Sequence, residues 1–312
     1  MQEGSKKAIV AAFLANSAIA VAKFIGFLIT GAASMLAESV HSTADAGNQG
    51  LLFLGGARAR KTATPEHPFG YGRERYFWSF VVALVLFSVG GLFALYEGIE
   101  KLRHPHEIEG AGVAFAILAV AIVVEAFSLR TAVKESRHVK GSESWVQFVR
   151  RSKTPELPVV LLEDIGALTG LVFAVFGLGM AEITGEPRYD AVGSIAIGIL
   201  LCVIAVILVI EMKGLLIGEA ASPAVVEKIS AAVAGSDRVE RVIHLRTQHI
   251  GPDELLVGIK VAFEPTMDLP ALAVAINECE RRVREAAADA RVIYIEPDIV
   301  RTETAPAAEP VS

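Results

Sequence analysis

Glu38-Ser39-Val40-His41-Ser42-Thr43-Ala44-Asp45-Ala46-Gly47-Asn48-Gln49 is the stretch that decides how this chain is read. It lies within a run from about Ser34 to Ala57 that reads as a membrane-spanning helix, where an ionisable side chain is costly and is a functional candidate by default. Glu38, His41, Asp45 and Asn48 are spaced by three, four and three residues, which puts them on one helical face; Met35, Leu36, Val40, Leu51, Leu52 and Leu54 supply most of the apolar cover. His41 and Asp45 stand one turn apart. An imidazole nitrogen and a carboxylate oxygen so placed can bind one divalent cation, and that donor mix suits zinc and its first-row neighbours. The competing reading is a polar seam bonded to a neighbouring helix, which in membrane bundles ordinarily uses Ser, Thr or a single amide.

The rest of the composition agrees with a membrane chain. The 312 residues are 53% hydrophobic with a mean hydropathy of +0.50, too apolar for an ordinary soluble domain of this length. Cys202 in an apolar span and Cys279 in a polar helix suggest neither a disulfide framework nor a thiolate cluster. The net charge of -6 says little, because in a membrane chain the distribution of basic residues carries the information.

Six spans are expected. The first, from about Ala8 to Thr30 after Lys6 and Lys7, is too long for a signal-peptide core and has no convincing cleavage site, so it reads as a retained helix. The second carries the opening motif. The others run from about Phe77 to Ile99, Gly112 to Leu129 (with Glu125 near its end), Val159 to Ile183 and Ala191 to Ile210. Arg58 to Tyr76 is a basic connection broken by His67-Pro68-Phe69-Gly70-Tyr71-Gly72, and Arg130 to Pro158 is a long polar one. Lys and Arg concentrate in these two connections, at the N-terminus and at the start of the tail, while the alternate connections hold Lys101, Arg103 and Arg188. By the positive-inside rule both termini are cytoplasmic, which an even number of crossings requires. An integral protein of a bacterial inner membrane is expected.

After Gly218 the composition becomes that of a small soluble domain. Pro223 to Ala234 and Leu269 to Ala288 read as helices, and Val239 to Gln248, Leu255 to Phe263 and Val292 to Ile295 as strands, with Gly251-Pro252-Asp253 turning the first two into a hairpin. The expected fold class is thus an α-helical membrane bundle followed by a cytoplasmic α+β domain in αββαβ order. The domain divisions are residues 1–214, 215–301 and a disordered tail over 302–312.

The fifth span holds Leu161-Leu162-Glu163-Asp164-Ile165-Gly166. Adjacent carboxylates on a helix point about 100° apart, so at most one faces a given site squarely. A helix bearing His41 and Asp45, opposed to one bearing Glu163 and Asp164, offers three or four ligands for a divalent ion at mid-membrane. For Glu163 the competing reading is a pairing with a lysine or arginine.

These residues resemble the cation diffusion facilitators, which exchange zinc or related divalent metals for protons. The resemblance covers nearly the whole chain: six spans, His41 and Asp45, the run Gly70-Tyr71-Gly72-Arg73-Glu74-Arg75, and His244-Leu245-Arg246-Thr247 with Gly251-Pro252 in the tail. It implies a homodimer, a metallochaperone-like tail domain, and a tetrahedral transport site with two ligands each from the second and fifth spans. His41, Asp45 and Asp164 match that pattern. The position four before Asp164 is Val160, so the fourth ligand is open between Glu163 and Asn48, with Glu38 as a further accessory candidate. The Glu-Asp pair looks like a subgroup with mitochondrial and bacterial members.

Other family sites are altered. Of a second metal site in the second-to-third connection only His67 remains, with Tyr71 and Thr64 at other ligand positions, and in the tail Ile243, Lys260 and Tyr294 replace histidines. Weak or absent regulatory metal binding is expected there. His244 and His249, five apart on a strand, point to opposite faces and read as surface or packing residues. Arg73 or Arg75 with Glu219 resembles the family's charged contact at the cytoplasmic end of the bundle; a headgroup or surface charge is the alternative.

Two readings from other classes compete. An intramembrane metalloenzyme would also place His and Asp in a helix, but the His-Glu-x-x-His signature is missing and no Ser or Cys nucleophile is paired with a base. A non-transporting metal-binding or assembly protein leaves four polar positions on one helical face without a purpose. The sequence therefore predicts a proton-coupled exporter of divalent cations and not an enzyme. Its partners are metal ion, protons, lipid and a second copy of itself, with no nucleic acid. Zn(II) is the expected cargo, with Mn(II), Fe(II) or Co(II) as alternatives, and no cofactor is expected to be permanently bound.

Overall fold

Long helices make up the chain as far as Ile217 in a computed structural model, which describes residues 3–299 apart from 107 and 109 and, for residues 3–15, the backbone alone. Helix α1 (Glu3–Thr30) ends at Gly31, whose backbone has φ +65°, a conformation that favours glycine. Helix α2 (Ala33–Arg58) follows at once and lies along α1. Next comes a helix in three segments, α3 (Glu74–Val85), a π-helical turn over Leu86–Leu92 and α4 (Phe93–Arg103). Helix α5 (Ala111–Lys140) continues well past the expected end at Leu129, so part of the polar connection is helical. The short α6 (Trp145–Arg151), α7 (Glu156–Thr184) and α8 (Arg188–Ile217) complete the series.

Four of these helices are long and apolar enough to cross a membrane: Glu74–Arg103, Ala111–Lys140, Glu156–Thr184 and Arg188–Ile217. The expectation was six. In the first helix the part whose side chains are described, Asn16–Thr30, is apolar but shorter than a span, and α2 is diluted by Glu38, His41, Asp45, Asn48 and the Ser and Thr between them. Met35, Leu86, Leu118, Leu171, Ile197, Leu201 and Leu208 pack at the centre, while Val123, Phe127, Phe176 and Ile183 point outward. That apolar outside suits a hydrocarbon surround.

The chain divides into two units. One holds the helices as far as Thr62 and Arg73–Leu216; the other holds Ala63–Gly72 and the described chain from Ile217 on. In the second unit, α9 (Pro223–Ala234) and α10 (Leu269–Ala286) are capped by Ser222 and Asp268, with proline in each first turn. Strands β1 (Val239–Gly251), β2 (Glu254–Phe263) and β3 (Ala290–Asp298) form a sheet in that order, β1 antiparallel and β3 parallel to β2. Alternate residues of β2 are buried from Leu255 through Val261, and Ile229, Val233, Cys279 and Val283 of the helices pack with them. The αββαβ order matches the sequence reading. Residues 63–72 belong with this unit: Gly72 passes so close to Ile250 and Gly251 that a Cβ on it would lie 2.8 Å from the Ile250 carbonyl oxygen. The expected tail over 302–312 lies outside the described residues.

Candidate metal centre

Helical spacing puts Glu38, His41 and Asn48 on the buried side of α2, each fully shielded from solvent, while Asp45 keeps 14% of its side chain exposed. His41 Nδ1 lies 3.5 Å from Asp45 Oδ1. Among the described residues neither ring nitrogen of His41, nor Asp45 Oδ1, has a hydrogen-bond partner. Buried polar atoms are almost always satisfied, so this nitrogen and carboxylate oxygen are the candidate donors for a bound ion. The π-helical turn runs beside them, where a Cβ on Gly90 would be 3.8 Å from His41 Nδ1; such turns recur at functional sites.

The two carboxylates of α7 diverge, as their 100° separation requires. Glu163 faces α2: the Asn48 side-chain amide donates to its Oε1 at 2.7 Å. Asp164 faces α5, where the Ser128 hydroxyl lies 3.2 Å from both its oxygens. The resemblance matches Asp164 to the ligand pattern and leaves Glu163 open as the fourth ligand; here Glu163 holds the hydrogen bond to α2. Glu163 is paired with an amide and, among the described residues, not with a lysine or arginine. Among the described residues no three His, Cys, Asp or Glu side chains are close enough to hold a metal together.

Glu38 is occupied differently from expectation. Lys23 of α1, fully buried, donates to Glu38 Oε2 and to the Ser42 hydroxyl, each at 2.8 Å. The other oxygen of Glu38 points at Gly170 of α7, where a Cβ would sit 2.5 Å from it. Lys23 was missed in the sequence, although a lone lysine in an apolar span is the usual signal. Asp190, at the start of α8, was also missed; it accepts from the backbone N–H of Ser34 at 3.3 Å and from the Ser34 hydroxyl, closing the opposite end of α2.

The remaining candidates lie elsewhere. Arg75 makes a two-point ion pair with Glu156 at 2.5 and 2.8 Å, whereas Arg73 is exposed beside it. In the other unit the carbonyl of Glu219 accepts from the His249 N–H at 2.8 Å. His67 stacks on Tyr71, centroids 4.6 Å apart, and Tyr71 hydrogen-bonds Thr64. His244 is exposed on β1 and His249 is buried. Lys260 bridges Glu296 at 2.7 Å and Asp298 at 3.2 Å; those two hydrogen bonds hold its ammonium above its ordinary titration range.

A family model described as the cation efflux transmembrane domain matches residues 9–217. The chain is 33% identical over 283 residues to the mouse "Proton-coupled zinc antiporter SLC30A9, mitochondrial", covering 90% of this chain and 49% of that protein. It is 27% identical to "Metal tolerance protein C4" of Arabidopsis thaliana, covering 90% and 61%. It thus spans about half the length of the SLC30A9 relatives it matches. A solved MamM CTD in its nickel form is 16% identical, with a TM-score of 0.25, over 26% of this chain and 100% of that one. With two thirds of its length matched by that model, this membrane protein belongs to the cation efflux family, the cation diffusion facilitators its sequence resembles.

Proposed function

We propose that the chain is a homodimeric, proton-coupled exporter of divalent transition metals, with Zn(II) as the principal cargo. The observation that carries this reading is the pair His41 Nδ1 and Asp45 Oδ1, buried 3.5 Å apart with no hydrogen-bond partner among the described residues. The cargo ion binds between α2 and α7, to His41 and Asp45 and to the α7 carboxylates. Glu163, already drawn toward α2 by Asn48, supplies the nearer oxygen, and Asp164 joins by leaving Ser128. A nitrogen and three carboxylates are donors that zinc accepts, and the oxygen excess keeps Mn(II), Fe(II) and Co(II) as second cargoes.

Proton coupling follows from the same donors. Metal binds neutral imidazole and ionised carboxylate, so loading releases protons and protonation displaces the ion. A site open to one side at a time then exchanges metal for protons. The first two helices cross the membrane with the four apolar ones, giving six spans and both termini on the cytoplasmic side; the basic connections support that orientation. The name of the mouse relative supports zinc and proton coupling.

The test is metal-driven proton flux in reconstituted vesicles carrying an internal pH dye, screened across Zn(II), Mn(II), Fe(II) and Co(II). Zinc addition should move protons the opposite way at wild type and not with His41→Ala. Metal uptake with no proton movement would overturn the antiport.

A further inference from the structure

Helices α5, α6, α7 and α8 enclose a groove of about 830 Å³ whose floor is apolar: Leu129, Val149, Leu162, Ile165 and Ile207 line it. Its rim carries Arg137 and Arg150 together with Glu211, which lies 3.8 Å from Arg150. Arg150 is 72% exposed. The rim therefore bears one net positive charge, and Arg151 follows directly on Arg150.

Helix α6 sits at this rim in the manner of an interfacial element. Its start is fixed by a reciprocal cap between Ser144 and Gln147, Phe148 is buried beneath it, and Trp145 and Val146 are exposed. The Lys140 ammonium lies 5.3 Å from the centroid of the Trp145 ring. Tryptophan flanked by basic residues is the pairing found at the headgroup level of bilayers. An apolar floor with a cationic rim at that level matches one ligand end to end: acyl chain below, phosphate above.

We propose that this groove is a binding site for an anionic phospholipid, its acyl chain along α7 and α8 and its phosphate held by Arg137 and Arg150. Glu211 keeps Arg150 at the rim. Leu129 and Ile165 directly follow Ser128 and Asp164 in sequence, so the lipid packs on the two helices that share that hydrogen bond.

The site is tested with the full chain carrying Trp78→Phe, which leaves Trp145 as the reporting tryptophan, in vesicles of dioleoylphosphatidylcholine. Brominated phosphatidylglycerol or brominated phosphatidylcholine is added at equal mole fraction and quenching of Trp145 is read. One net positive charge predicts about fivefold enrichment of phosphatidylglycerol, the equivalent of roughly 1 kcal/mol. Arg137→Gln with Arg150→Gln should abolish the preference, and Arg137→Lys with Arg150→Lys should keep most of it. Equal quenching by the two lipids at the parent protein, or a preference unchanged in the glutamine variant, would overturn the proposal. Absence of quenching by either lipid would also overturn it, since it would mean that a second copy or another segment covers the groove.

Discussion

Asn48 and Glu163 are joined across the bundle by a 2.7 Å hydrogen bond, so the first of the two adjacent α7 carboxylates is held against the helix that carries His41 and Asp45. Its neighbour Asp164 is held by Ser128 of α5. The two acids thus start from different positions relative to the proposed cargo site. Glu163→Gln should lower zinc affinity beyond the roughly 10–100-fold that loss of a supporting residue costs, because it removes a ligand already turned toward α2. Asp164→Asn should abolish zinc binding. Equilibrium zinc binding of both variants, measured side by side at several pH values, checks this; wild-type affinity in Glu163→Gln would assign Glu163 to proton handling alone.

His41 is the nitrogen donor of the proposed set. Replacing it by Asp turns the site into an all-oxygen one and should move preference from Zn(II) toward Mn(II). Competition between the two ions in vesicle uptake reads the change. An unaltered ratio would remove His41 from the ligand set.

Lys23 and Glu38 form a fully buried pair. Breaking such a pair by removing one partner strands the other and typically costs about 3 to 5 kcal/mol, whereas replacing both by apolar residues is often neutral. Lys23→Met should therefore destabilise the protein strongly, and Lys23→Met with Glu38→Leu should recover most of the loss. Thermal unfolding of the purified chain in detergent makes the comparison. Gly170→Ala should act on the same pair by pushing against the Glu38 carboxylate; an unchanged unfolding temperature there would show that Glu38 can move aside.

In the tail unit the Lys260 ammonium is salt-bridged to Glu296 and Asp298, at a position where the resemblance implies a histidine in other members. The fragment from Leu215 to Arg301 should fold and dimerise without metal and show no submicromolar zinc site by calorimetry. Lys260 titrates above its ordinary value of 10.5 because Glu296 and Asp298 bond to it. A raised lysine contributes stability that is complete below its unfolded value and is lost as pH rises through its folded value. Lys260→Met should therefore abolish a stability loss confined to strongly alkaline pH and leave the curve near pH 7 to 9 parallel to wild type.

Much of this was legible in the sequence, for physical reasons that also explain the gaps. Period-two burial in β2 and proline-marked helix starts at Pro223 and Pro270 are local signals, and the αββαβ unit follows from them. His41 and Asp45 were legible because one-turn spacing fixes their mutual distance. The partner of Glu38 was not, since Lys23 lies on another helix and only packing brings them within 2.8 Å. Which way Glu163 and Asp164 face depends on how α7 is rotated against α2 and α5, and a nearly uniformly apolar helix carries no periodicity that would reveal it. The apolar-span count falls short at α2 because its buried polar stretch lowers its hydropathy.

The central claim is that metal and protons compete for His41, Asp45 and the α7 carboxylates. The most direct measurement is zinc titration calorimetry of the purified full chain in buffers of differing ionisation enthalpy, which counts the protons released per metal bound. The account predicts release of at least about one proton at neutral pH, together with loss of both binding and release in His41→Ala and Asp45→Ala. Tight zinc binding that releases no protons, or that survives in either variant, would contradict it.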